Sequence, residues 1–156
     1  MQASNVRLAV HEDIPSLVSM CKSFHDASPL NNVPFSEEKV TEFLGKILNG
    51  PKEKAIILAL VDDENYPVGL LIGYAEQLIF STDYAANELA LWIEPEHRSL
   101  KGLNKLLQAY ELWAEVIGVK VCTLSLMNDL KGQKLEKLYT RLGFTKCEQT
   151  FVKGVY

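Results

Sequence analysis

Cysteine is scarce in this 156-residue chain, which has only Cys21, Cys122 and Cys147. An odd number of scattered thiols in apolar patterns excludes a disulfide frame and a cysteine-built metal centre. It fits buried thiols in a reducing compartment. Basic residues are also in the minority, with 16 Lys and Arg against 20 Asp and Glu, for a net charge of −4 at pH 7. A chain of this sign lacks the basic surface that a large nucleic-acid footprint needs, although it is compatible with a cationic acceptor such as an amine. No apolar run approaches the length of a bilayer span. Met1 to Asn5 lacks the charged and apolar regions of a signal peptide. There is no repeat, low-complexity tract or linker. The expectation is a cytoplasmic protein with no membrane, nucleic-acid or metal partner.

What is present is the composition of a folded domain. Hydrophobic residues make up 47% and charged residues 23%, enough for one domain over residues 1–156 with a substantial core. Val6–Val10 reads as a short strand. Asp13 caps a helix with Ile14, Leu17, Val18, Cys21 and Phe24 on its apolar face, and Pro15 fits the first turn. Ser36 caps a second helix with Val40, Phe43, Leu44, Ile47 and Leu48 inward, and Glu37 and Glu38 suit the dipole of its first turn. Ala55–Val61 is apolar throughout, the pattern of a strand covered on both faces. Val68–Phe80 and Glu88–Ile93 read as further strands, Val119–Met127 as an alternating one, and Phe144–Val152 as the last. The order β-α-α-β-β-β-α-β-α-β predicts an α/β fold.

Two segments carry more than fold. In Asn87–Leu107, Leu89, Leu91 and Ile93 alternate as a strand and Pro95 ends it. A turn with Arg98, Ser99, Lys101 and Gly102 follows. Leu103, Leu106, Leu107, Tyr110, Trp113, Ala114 and Ile117 then repeat at helical spacing. Free N–H groups at a helix start, with cations nearby, form an anion site. The second segment is Leu135-Glu136-Lys137-Leu138-Tyr139-Thr140-Arg141-Leu142-Gly143-Phe144. Here Leu135, Leu138, Tyr139 and Leu142 share a helical face and Gly143 is a natural stop.

The first segment resembles motif A of the GNAT N-acetyltransferase superfamily, in which a strand leads into Arg-x-x-Gly-x-Gly or Ala and then a helix. Lys101 and Leu103 stand where the family carries its glycines, and Gly102 lies between them. The second resembles motif B, commonly A-x-x-L-Y-x-x-L-G-F. Together they place the chain near small phage or bacterial members, and the element order extends the resemblance along essentially the whole chain, which implies a central mixed β-sheet flanked by helices. The resemblance implies acetyl-CoA as cosubstrate. Its pantetheine arm would lie between two splayed strands and its pyrophosphate on the motif A loop. The cofactor-binding residues implied are Leu91, Trp92, Ile93, Arg98, Ser99, Leu100, Lys101, Gly102, Leu103, Asn104 and Asn128.

The resemblance further implies Tyr139 as the acid that protonates the departing thiolate, and a phenol is mostly protonated at neutral pH. Glu88, which opens the motif A strand, is the candidate base; a solvated strand-start charge is the plainer alternative. Glu94 is the runner-up, and His25 is a third option that also reads as a helix-end residue. The function implied is acetyl transfer from acetyl-CoA to a primary amine of a small molecule or a protein. The alternative is a catalytically silent GNAT-fold protein that binds CoA or regulates. A monomer and a homodimer both stay open.

Overall fold

A computed structural model describes residues 5–127 and 130–154 of the chain. Its five strands are β1 (Asn5–Leu8), β2 (Ala55–Val61), β3 (Pro67–Gln77), β4 (Tyr84–Ile93) and β5 (Val121–Thr123), and they lie in one sheet in that order. Neighbours from β1 to β4 are antiparallel, whereas β5 runs parallel to β4. The parallel pair needs a crossover, which α3 (Leu100–Val116) supplies. The other helices are α1 (Ile14–Ala27), α2 (Glu37–Asn49) and α4 (Leu130–Arg141).

Strand β2 shows why the sheet sits at the centre. Ile56, Leu58 and Leu60 pack into a cluster with Leu106, Leu107, Tyr110 and Trp113 of α3. Ile57, Ala59 and Val61 pack on the other face with Leu17, Val18 and Met20 of α1 and Leu44 and Ile47 of α2. With helices on both faces, neither register of the strand can be polar. The helix ends follow the capping signals at Ser36 and Gly143, whereas Asp13, at the N-cap position of α1, makes no cap hydrogen bond because its carboxylate is taken by Arg7 and the Val10 N–H. Ser36 and Ser99 accept hydrogen bonds from the N–H groups of Lys39 and Gly102, three residues on. Gly143 ends α4 at φ +92°. Its N–H bonds to Thr140 O and that of Phe144 to Tyr139 O, the paired bonds of a glycine C-terminal cap.

One irregularity sets the geometry of β4. Ile72 of β3 faces Ala90 and the next residue, Gly73, faces Glu88, so Leu89 is an extra residue with no partner. A β-bulge reverses the side-chain alternation. Ala86 before it and Leu91 and Ile93 after it therefore join the α3 cluster, while Ala90 and Trp92 join the α1–α2 cluster. The expected unbroken alternation of Leu89, Leu91 and Ile93 is corrected: Leu89 is 47% exposed. The bulge also puts Glu88, at 8% exposure, in the interior.

Other boundaries shift. The first strand stops at Leu8, and β3 stops at Gln77, leaving Ile79 and Phe80 exposed in a turn. Phe43, expected inward, is 42% exposed. The alternating run Val119–Met127 pairs only over Val121–Thr123. No strand forms over 144–152. That segment holds a polar run from Thr145 to Thr150 with no apolar face to fix a register.

Gly73 lies under the Tyr110 and Trp113 rings of α3. A Cβ there would stand 2.9 Å from Cε2 of Tyr110 and 3.1 Å from Cζ3 of Trp113. The Tyr110 hydroxyl donates to Thr123 O at 3.0 Å and the Trp113 indole N–H to Lys52 O at 2.7 Å, so both rings are tethered. Gly73→Ala should therefore lower stability by about 1–3 kcal/mol, as overpacking does in other cores. The urea midpoint measures this, and an unchanged midpoint would mean that the rings move aside freely.

Candidate active site

Strands β4 and β5 run side by side for only three pairs: Ala85 with Val121, Ala86 with Cys122 and Asn87 with Thr123. The last pair is tied by the Thr123 hydroxyl, which donates to Asn87 Oδ1 at 2.9 Å. Beyond it, β4 continues to Ile93 while the other chain turns away. The strands part at Glu88, and the edge of β4 from Glu88 onward has no β5 partner.

Three residues meet at the parting. Glu88 Oε2 accepts a hydrogen bond from Ser125 N at 2.9 Å. The Tyr139 hydroxyl, brought in by α4, donates to Ser125 O at 3.3 Å. The two side chains thus converge on the same backbone residue, one at its N–H and the other at its carbonyl. Burial pushes the Glu88 carboxyl up from 4.5 to about 7, against the opposing effect of the Ser125 N–H. Burial, and then the Glu88 charge, raise the Tyr139 phenol. Tyr110 is raised too, chiefly by burial. A carboxyl that titrates near neutrality beside a phenol that stays protonated can take up one proton and give up another. Nothing in the sequence marks Tyr110 or Ser125 for this site. Tyr110 reads there as a core position, and Ser125 contributes only main-chain atoms, which leave no side-chain signature.

The other expected site residues lie along the end of β4 and the start of α3. Leu91 and Ile93 pack against the α3 cluster and Trp92 against the α1–α2 cluster. The Arg98 guanidinium sits 4.8 Å from the Trp92 ring centroid, and its Nε donates to Ile93 O at 2.9 Å, so it closes over the strand end. Ser99 is the N-cap of α3, its hydroxyl taking the Gly102 N–H and its carbonyl the Leu103 N–H. The Leu100 and Lys101 N–H groups are then the first-turn donors outside these bonds, on exposed residues. Gly102 faces inward: a Cβ there would lie 3.1 Å from Leu60 Cδ2. Leu103 flanks the α3 cluster. Asn104 holds a buried Oδ1 with no hydrogen-bond partner. Asn128 lies outside the described residues. The structure thus brings Glu88 and Tyr139 to one point and arranges Arg98 to Asn104 along a helix start. Glu94 lies elsewhere, lining a small cavity of about 160 Å³ with Asp62, Tyr66 and His97.

The Glu88 carboxyl carries a consequence for stability. Because folding raises its pKa, the folded state holds its proton longer than the unfolded chain. The stabilisation is complete below 4.5 and is lost as pH rises through about 7. Glu88→Gln keeps an acceptor for Ser125 N but cannot ionise. Its melting temperature relative to the parent should climb across that window and level off above it. A flat difference would mean that the carboxyl titrates as it does in water.

No known protein family and no curated protein matches the sequence. Solved structures do match in shape. An aminoglycoside acetyltransferase from an uncultured soil metagenomic sample superposes with a TM-score of 0.71 at 15% identity, over 97% of this chain and 98% of that one. An aminoglycoside N-acetyltransferase solved in complex with CoA gives 0.75 at 12% identity, over 97% and 93%. A Bacillus halodurans protein described as a transcriptional regulator gives 0.76 at 15%, over 97% and 99%. At such identities the likeness speaks for architecture. The five-stranded mixed sheet with its four helices is the fold of the GNAT acetyltransferases.

Proposed function

We propose that the chain is an N-acetyltransferase that uses acetyl-CoA to acetylate a primary amine of a small molecule or a protein. The observation that carries this reading is the convergence of Glu88 and Tyr139 on Ser125 where β4 and β5 separate. Acetyl-CoA supplies an activated thioester. The residues fit it in two respects. The unpaired edge of β4 offers main-chain groups to an extended, amide-bearing arm. The α3 start offers the Leu100 and Lys101 N–H groups, with the Lys101 side chain beside them, to a pyrophosphate.

Glu88 takes the proton that the amine must lose to attack the thioester carbonyl. As the C–N bond forms and the C–S bond breaks, Tyr139 donates its hydroxyl proton to the departing sulfur. A carboxyl held near 7 is suited to the first task, because a useful fraction is ionised at neutral pH while the group is still basic. A raised phenol is suited to the second, because it keeps its proton until a thiolate appears.

A second reading, a silent CoA-binding or regulatory protein, draws on two features. Arg98 is committed to Trp92 and Ile93 O, and the Ser99 hydroxyl occupies the Gly102 N–H. A thermal-shift titration with acetyl-CoA together with a thiol-release assay over mixed amines separates the two. Binding with turnover supports the enzyme, and binding without turnover supports the silent protein.

Glu88→Gln should lower turnover at every pH and remove the acid limb of the pH profile, which lies near 7 in the parent, while acetyl-CoA affinity stays close to normal. A profile identical to the parent's would assign the base elsewhere. In a single-turnover measurement, Tyr139→Phe should slow acetyl transfer by ~10²- to 10⁴-fold, the usual range for a lost general acid. The ring remains, so its packing against Phe144 should survive. Full transfer with normal melting would make Tyr139 a packing residue.

A further inference from the structure

The two candidate proton-transfer groups do not touch the same side chain. They touch the same stretch of main chain. Ser125 N–H reaches Glu88 and Ser125 O receives Tyr139. This residue lies just past the last β4–β5 pair, where the ladder no longer holds the backbone. The anchor on its N-terminal side is Thr123, gripped by the Tyr110 hydroxyl at its carbonyl and by Asn87 at its hydroxyl.

We propose that the main chain of Ser125 is the positioning element of this site: its N–H fixes the Glu88 carboxylate, its carbonyl fixes the Tyr139 hydroxyl, and one residue sets the spacing of base and acid. The proposal rests on the acetyltransferase reading for its catalytic meaning but not for its geometry. Both bonds join atoms of this chain alone. The coupling has a direction. An N–H donor favours the ionised carboxyl, so ionising Glu88 strengthens its hold on Ser125. The same charge raises Tyr139, so the phenol keeps its proton while the base is ready. A site arranged in this way presents an ionised base and a protonated acid together.

Other groups around Glu88 bear on its titration. Tyr110 of α3 and Tyr139 of α4 interact electrostatically with it. Cys122 of β5 and Tyr74 of β3 reach Tyr110 in turn. Tyr110, Tyr139 and Cys122 are all raised acids, neutral over the range in which Glu88 titrates, so among the described residues the Ser125 N–H is the donor that the charged carboxyl meets.

The test begins with the protein alone. In ¹³C-detected NMR, Glu88 should titrate near neutrality, and the Ser125 amide and Tyr139 ring resonances should follow the same midpoint. In Glu88→Gln neither resonance should move over that range. Ser125→Pro deletes the N–H and should raise the Glu88 midpoint by about one unit, the size expected when an ion loses one charge-assisted donor. The acid limb of kcat/KM should move alkaline by the same amount. A Glu88 midpoint unchanged by Ser125→Pro, or a Ser125 amide indifferent to Glu88 ionisation in the parent, overturns the proposal. If the proline variant does not fold, the amide and ring titrations of the parent and Glu88→Gln decide the matter. Absence of turnover with every amine, alongside intact coupling, would sink the acetyltransferase reading and leave the Ser125 assignment standing.

Discussion

A single extra residue in β4 governs the interior of this protein. Without the bulge at Leu89, strict alternation would send Glu88 and Ile93 to opposite faces of the sheet. With it, both belong to the α3 side. The apolar end of the strand still packs under α3, and a carboxyl is drawn into the same layer a few residues earlier. The burial costs free energy, and the carboxyl answers by holding its proton toward neutrality. The perturbed acid is therefore a product of backbone geometry more than of neighbouring charges, since no cation pairs with it among the described residues.

That geometry also explains why the sheet opens where it does. A parallel ladder continues only while each strand offers the other its main-chain groups. Past Thr123 the Ser125 N–H is taken by a side chain of β4 instead of a β4 carbonyl. Glu88 thereby occupies the donor at the opening, and Tyr139 takes up the corresponding carbonyl. At the apex of the opening both main-chain groups of Ser125 are satisfied, so the strands can part there without leaving that residue orphaned.

Much of this architecture is legible in the amino-acid sequence, for physical reasons that differ between elements. Strand β2 is apolar at every position because both its faces are covered, and the helices show their stripes because each buries one side. Ser36 and Gly143 mark helix ends because their local bonding is short-range. Tyr139 is legible through the pattern around it, which resembles a known motif. The bulge is not legible. One inserted residue leaves the strand's composition unchanged, and only the β3 partner reveals the slip. Glu88 is a candidate base only through the family resemblance, with a solvated strand-start charge as the plainer alternative, and its burial appears only once the register is known. The role of Ser125 is carried by backbone atoms that every residue shares. At the other end of the site, Arg98 reads as a free cation, yet it folds back onto Trp92 and Ile93 O, a choice made by a neighbour six residues away. The C-terminal run shows the reverse failure. Phe144, Phe151 and Val152 suggest a strand, but the polar residues between them give no face to bury.

The shortness of β5 has a consequence for how the molecule breathes. β3 and β4 are zipped along almost their full lengths, whereas β5 is held to β4 by three pairs and by side-chain tethers at Thr123. Local opening costs least where the fewest contacts must break at once. The sheet should fray from this margin inward, with amide exchange fastest at Val121 to Thr123 and slowest in the β2–β3 centre. Because Glu88 and Tyr139 grip the chain just beyond that margin, the seam that loosens first is also the wall of the site. Anything that settles in the gap would gain by stilling it, and molecular fit there would be registered as slower solvent exchange well before any large change of shape.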